Sequence, residues 1–197
     1  MISDFDKIDS PIYISLGSDC AVSYQIKKHC NNAPTYPFDW IRSETIDSLC
    51  KMFDDDFSNF FDESNFIIKP NTINSYSNDD EQTISSNYKI INKYYNITMP
   101  HEYTNDIFDI NNFISKYKRR VDRLKNDIRN KFKKKIFIRS SNTKYLNTID
   151  KNRLLNTIIS YGGVNFTIRY INYDDYNPIN YTWKRDYIKW NDVIILD

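Results

Sequence analysis

The segment Ile14-Ser15-Leu16-Gly17-Ser18-Asp19-Cys20 runs from apolar residues through a glycine turn to a thiol. A cysteine at the mouth of a helix is a candidate nucleophile. The helix N-terminus favours the thiolate, and its unpaired N–H groups can hold an oxyanion. A cysteine at such a junction also serves simply as a small buried hydrophobe. Thiol chemistry needs a base, and the only histidines are His29 and His101. His29 lies nine residues beyond Cys20 on the same expected helix, about 13 Å away at ~1.5 Å per residue. It is too far to touch the sulfur and reads as a surface residue at the helix C-terminus. His101 follows an expected strand and Pro100, where a sheet end can present a side chain rigidly. By elimination it is the candidate base, with an exposed loop histidine as the plain alternative. Cys20, Cys30 and Cys50 are odd in number and form no CxxC. They supply neither a disulfide framework nor a zinc ligand set, and no metal or cofactor is expected.

The elements that must position these residues follow from the apolar pattern. Residues 12–16 read as a strand, with a helix from Cys20 closing on Lys27-Lys28-His29, where cations suit the dipole. Ser43 is the expected N-cap of a second helix whose stripe is Ile46, Leu49, Cys50 and Phe53. Residues 62–87 read as a polar loop or extended excursion, and 88–97 as a strand approaching Met99-Pro100-His101. Asp109 can cap a long helix with an apolar stripe from Ile110 to Phe132. A buried strand at 136–139, a helix at 150–160 stopped by Gly162-Gly163, a strand at 164–171 and a last strand at 193–196 complete the reading. The expected architecture is α+β or layered α/β, a single domain over 1–197 with a central sheet flanked by helices.

Composition bounds the rest. The 197 residues are 40% hydrophobic and 16% aromatic, which suits a folded domain and excludes a disordered chain. No apolar run is long enough to span a membrane, and Asp4 and Asp6 stand where a secretory signal carries basic residues. An intracellular, cytoplasmic setting is expected, in the host cytoplasm if the chain is viral. The excess of Asn, Ile, Lys and Tyr reflects AT-rich codons before it reflects function. The net charge of +1 hides a polarity: residues 1–110 carry 18 acids against 8 bases, while 116–135 carry 11 bases against 2 acids. That basic helix raises nucleic acid or an anionic surface as a partner. No phosphate loop, zinc-finger pattern or RNA-recognition signature accompanies it, and a solvated lysine-rich face is the simpler reading.

Ser15-Leu16-Gly17-Ser18-Asp19-Cys20, Pro37-Phe38-Asp39-Trp40 and His101-Glu102-Tyr103 occur in order. They are followed by Lys118-Arg119-Arg120, Phe137-Ile138-Arg139, Trp183 and Trp190. This set, spanning about residues 12–190, resembles an uncharacterised family described as papain-like cysteine peptidases. The family's third motif is His-Asp-Phe, so Glu102-Tyr103 departs from it and argues against a strict role for an aspartate there.

The resemblance implies a papain-like fold and a Cys20–His101 pair that cleaves a peptide, isopeptide or other acyl bond. Ser18, Asp19 and Arg139 would support the oxyanion or the site. Asp39 is the candidate third member, orienting the histidine from between aromatic neighbours. In papain-like sites this residue usually follows the histidine in sequence, which makes Asn172 the alternative. Asp39 could instead be a cap or a structural acid. Arg139, at the end of a buried strand, needs a carboxylate, either Asp39 or a substrate's, with Asp39 the expected one. Two rival functions use the same residues differently: an acyltransferase with the same pair, and a non-catalytic module that binds through 116–135.

Overall fold

In the computed structural model the described residues are 10–70, 88–103, 109–141, 146–176 and 183–194, with the backbone alone described for Pro70, Tyr88, 101–103 and Asp174. In chain order the elements are β1 (Ile12–Ser15), α1 (Cys20–His29), β2 (Arg42–Ser43), α2 (Ile46–Asp54), β3 (Phe66–Pro70) and β4 (Tyr88–Asn92). They continue with β5 (Ile97–Tyr103), α3 (Ile110–Ile128), β6 (Lys135–Ser141), α4 (Thr148–Ser160), β7 (Phe166–Asn172) and α5 (Trp190–Ile194). The result is a mixed α+β domain, as expected, with its strands divided between two sheets. One is parallel in the order β1-β6-β7, and the other is antiparallel in the order β2-β5-β4-β3.

Strand β6 is central to the parallel sheet, and its apolar run buries both faces, as parallel strands covered by helices must. Phe137 joins Ile14 and the stripes of α2, α3 and α4 in the main core. Ile136 and Ile138 face the other way, toward Val22 and Ile26 of α1 and Trp190 and Ile194 of α5. The main core also takes Ile90, Ile97 and Met99 from the antiparallel sheet, so both sheets share it.

Helices begin where short polar side chains can accept from free N–H groups. Asp19, Thr45, Asp109 and Asn147 cap α1, α2, α3 and α4 in turn. Thr45, not Ser43, therefore starts the second helix. Ser43 pairs with Ile97 in β2, and its N–H donates to the Gly17 carbonyl, so it is committed elsewhere.

The expected excursion at 62–87 contains β3 at 66–70, paired along its length with β4, while 71–87 lie outside the described residues. The expected strand at 88–97 breaks into a hairpin. Asn92 accepts from the Tyr95 N–H, and Asn96 takes a φ of 53°, a left-handed conformation that asparagine tolerates. Residues 193–194 belong to α5 rather than to a final strand. Phe132 leaves the expected stripe altogether: α3 ends at Ile128, and Phe132 is 83% exposed on the following turn.

The cations of 116–135 are largely engaged by the protein itself. Lys125 pairs with Asp56 at 2.7 Å, and Lys118, Arg120 and Arg129 lie over the rings of Phe61, Tyr117 and Tyr161. Lys135 is buried with its ammonium on the Asn130 carbonyl.

Candidate active site

The nucleophile turn is built by a close approach. Gly17 adopts a φ of +49°, and a Cβ there would stand 2.7 Å from the Phe38 carbonyl oxygen and 3.3 Å from that of Ile41. Only glycine fits both the conformation and the space. The Gly17 carbonyl accepts from the N–H of Ser43 at 3.2 Å and from its hydroxyl, while the Gly17 N–H donates to Ser15 Oγ at 3.2 Å. A trans peptide points C=O and N–H in opposite directions. With the Gly17 carbonyl held by Ser43, the Ser18 N–H faces away from β2. Asp19 then caps α1 by accepting from the Ala21 N–H at 3.0 Å, and Cys20 is the first helical residue.

The electrostatics of Cys20 differ from the sequence expectation. The helix N-terminus alone would favour thiolate, but the residue is only 3% exposed, and burial pushes the thiol up to about 12. The nearby Arg42 guanidinium opposes that rise, while Asp19 adds to it. At neutral pH the thiol of this structure is protonated. Burial likewise raises Asp19 above the ordinary carboxylate range, against bonds from the Ala21 N–H and the Tyr173 hydroxyl and the charges of Arg185 and Arg42.

Arg139 does not meet Asp39. Its guanidinium donates to the Leu16 carbonyl, the Ser43 hydroxyl and the Ser43 carbonyl, each at 2.8 Å. It is 2% exposed, and burial lowers it to about 10, with Asp19 as the foremost charge favouring the cation. Backbone oxygens can serve a planar guanidinium as well as a carboxylate does, and here they tie the strand before Gly17 to β2. Asp39 instead accepts from Ser23 Oγ at 3.2 Å and the Tyr36 N–H at 3.1 Å, with Lys27 Nζ at 3.6 Å. Burial is the largest influence on it and raises its carboxyl.

The turn thus gathers Ser18, Asp19, Cys20 and Arg139, and Ser18 Oγ pairs with Ser140 Oγ. Asp39 contacts α1 three residues beyond Cys20. Asn172 ends β7, where its amide donates to Asp175 at 3.3 Å. The backbone of His101 lies in β5, three residues past Thr98, the register partner of Arg42; its side chain is outside the described residues.

Sequence reasoning missed Arg42, Ser43, Ser140 and Tyr173 as neighbours of the turn. Arg42 and Ser43 follow the Pro37-Phe38-Asp39-Trp40 motif after one residue, Ile41, and that proximity was the available signal. Tyr173 donates to Asp19 at 3.1 Å from the end of β7, a contact that only the strand order reveals. Among the described residues no cluster of His, Cys, Asp and Glu could hold a metal, and no helix is long and apolar enough to cross a membrane.

Comparison with known proteins adds two findings. The model of a family described as "Putative papain-like cysteine peptidase" matches residues 11–176. An uncharacterized protein of Acanthamoeba polyphaga mimivirus is 26% identical over 219 residues, covering 93% of this chain and 97% of that protein. No solved structure matches the chain.

Proposed function

The chain belongs to that family of papain-like cysteine peptidases, and on this premise we propose that it is a cysteine-dependent hydrolase of a peptide, isopeptide or other acyl bond. The observation that carries the reading is the strand, left-handed glycine and helix-initiating Cys20 in sequence, fixed from below by Ser43 and Arg139. In this mechanism Cys20 gives its proton to His101, and the sulfur attacks the substrate carbonyl. The N–H groups of Cys20 and Ser18 take the charge that develops on oxygen. The imidazolium then protonates the leaving group, and water releases the acyl-enzyme. Asp39 orients the histidine, with Asn172 as the alternative for that role. The three free cysteines and the viral relative support a reducing setting, the host cytoplasm for a viral chain.

A tagged electrophilic thiol probe tests the pair directly. Wild type should be labelled at Cys20, Cys20→Ala should lose the label, and His101→Ala should lose most of it. Undiminished labelling of His101→Ala would sink the pair. The acyl-enzyme can also pass its acyl group to an amine, so adding an amine acceptor and analysing products separates a transferase from a hydrolase.

A further inference from the structure

We propose that the end of the domain opposite the Cys20 turn docks on the surface of an anionic phospholipid bilayer, with the Phe132 ring entering the headgroup layer. The inference goes beyond the hydrolase reading and does not depend on it.

The tip is built by two turns that brace each other, one after α3 at 129–134 and one between α4 and β7 at 161–165. The Val164 N–H donates to the Ile128 carbonyl at 3.2 Å, and the Asn165 side-chain amide to the Lys131 carbonyl at 3.2 Å. The Lys135 N–H donates to the Asn165 carbonyl at 3.0 Å. Phe132 is itself tied down, its N–H on Asn130 Oδ1 at 3.0 Å, so an ordered backbone presents the ring. That ring is nevertheless 83% exposed, and Val164 in the adjoining turn is 40% exposed. Apolar groups held out in water contribute nothing to folding from there.

The charges around the ring have one sign. Arg129, Lys131, Lys133 and Lys134 lie within three residues of Phe132, and neither turn contains an acid. Lys131 Nζ stands 5.1 Å from the centre of the Phe132 ring. Arg129 packs on Gly162, where a Cβ would meet its Nε at 3.1 Å. Asp127, two residues before Arg129, accepts from the Tyr36 hydroxyl at 2.7 Å. Asp56, which accepts from the Tyr161 hydroxyl, is paired with Lys125. Cations after a helix C-terminus suit its dipole, which accounts for the charge but not for the exposed ring among them.

A bilayer surface matches both features: lysine and arginine meet anionic headgroups, and an aromatic ring settles at the interface. A second copy of this chain does not, because two such tips would bring like charges together. A nucleic acid strand would use the cations and stack on the ring, but the exposed aliphatic Val164 favours acyl chains over bases. The placement also suits a surface. β6 starts at this tip, and its sixth residue, Ser140, meets Ser18 of the Cys20 turn about 20 Å away. A docked bilayer therefore leaves that turn on the far side of the domain.

The test is co-sedimentation of the full chain with vesicles of phosphatidylcholine alone, or of phosphatidylcholine mixed with phosphatidylserine. The chain should pellet with the anionic vesicles, come off as salt is raised, and stay in solution with the neutral ones. Phe132→Ser, checked by circular dichroism to be folded as wild type, should bind about tenfold more weakly, as expected for losing a buried phenylalanine. Lys131→Gln should bind about fivefold more weakly, as expected for one cation at the surface. Phe132→Trp should bind at least as well as wild type. The proposal is overturned if wild type pellets equally with both kinds of vesicle or with neither, or if Phe132→Ser binds as wild type does. It also falls if a single-stranded oligonucleotide is held through Phe132 while phosphatidylserine vesicles are not. None of these readouts uses Cys20, so failure here and failure of the hydrolase reading are distinguishable.

Discussion

Replacing Arg139 with methionine measures how strongly the nucleophile turn is braced. The side chain is 2% exposed and makes three bonds of 2.8 Å, to the Leu16 carbonyl and to the hydroxyl and carbonyl of Ser43. Methionine fills similar space and donates nothing, leaving two backbone carbonyls unmet by this donor at roughly 1–3 kcal/mol each. Against that, removing a buried cation relieves a desolvation cost, visible in the fall of Arg139 to about 10. Such relief reaches about 1–4 kcal/mol when a whole buried ion pair is replaced. Here only one partner is removed and its acceptors stay behind, the case in which losses of about 3–5 kcal/mol are usual. We expect a net loss of about 3 kcal/mol, or roughly 6–12 °C in Tm for a domain of this size. Arg139→Lys keeps the charge but cannot span all three acceptors, and should fall between. Urea unfolding followed by tryptophan fluorescence, with thermal unfolding by circular dichroism, measures both variants. If Arg139→Met were as stable as wild type or more so, desolvation would dominate and the bracing argument would be wrong.

Three further outcomes are expected. Gly17→Ala forces a left-handed alanine whose Cβ meets the Phe38 carbonyl at 2.7 Å; it should cost more than the ~1–2 kcal/mol of the conformation alone, and an unchanged Tm would refute the close approach. Burial raises the Asp39 carboxyl above its ordinary value, so the folded state holds its proton more tightly than the unfolded one. That contribution is complete below the unfolded value and lost as pH rises through the folded one, so the stability of wild type over Asp39→Asn should be larger at pH 4.5 than at 7.5 in urea titrations. The opposite trend would mean that the Lys27 pair outweighs burial. Phe132, 83% exposed, should tolerate serine within about 0.5 kcal/mol, whereas Leu124→Ala in the α3 stripe should cost about 2–5 kcal/mol; a loss at Phe132 comparable to that at Leu124 would contradict the placement of the α3 terminus.

The elements that could be read from sequence are those whose local signals agree with their packing. β1, α1 and α3 each combine an apolar pattern with a cap or glycine at the right place; β1 and α1 formed within a residue of expectation, and α3 began at its expected cap but ended four residues short of Phe132. Ser43 misled because a serine before an apolar stripe is a good cap; a long-range partner, the Gly17 carbonyl, claimed it instead. The run 88–97 concealed a hairpin because its turn uses Asn96 rather than glycine. At the site, Gly17, Asp19 and Cys20 were recognisable because they are adjacent in the chain. The separation of Arg139 from Asp39 depends on strand register and on which backbone oxygens are nearby, and neither leaves a mark in composition or spacing. The depth of Cys20 was hidden for the same reason, since burial is set by what the rest of the chain lays over it.

The residues after β7 change how the boundary of this domain should be drawn. The family match ends at 176, yet Ile188, Trp190 and Ile194 complete the apolar cluster with Val22, Ile26, Ile136 and Ile138. The same stretch clasps α1 through Gln25, whose amide donates to the Lys184 carbonyl and to Asp186, and through Trp183 edge-on to Tyr24. It also brings Arg185 to the ring of Tyr173, the residue that donates to Asp19. A fragment trimmed to the matched span would keep every motif residue from Gly17 to Asn172 and still strip one face of the parallel sheet of its roof. The helix that begins with Cys20 would then lose its outer support, so the shortest piece that preserves the thiol's surroundings reaches at least to Ile194.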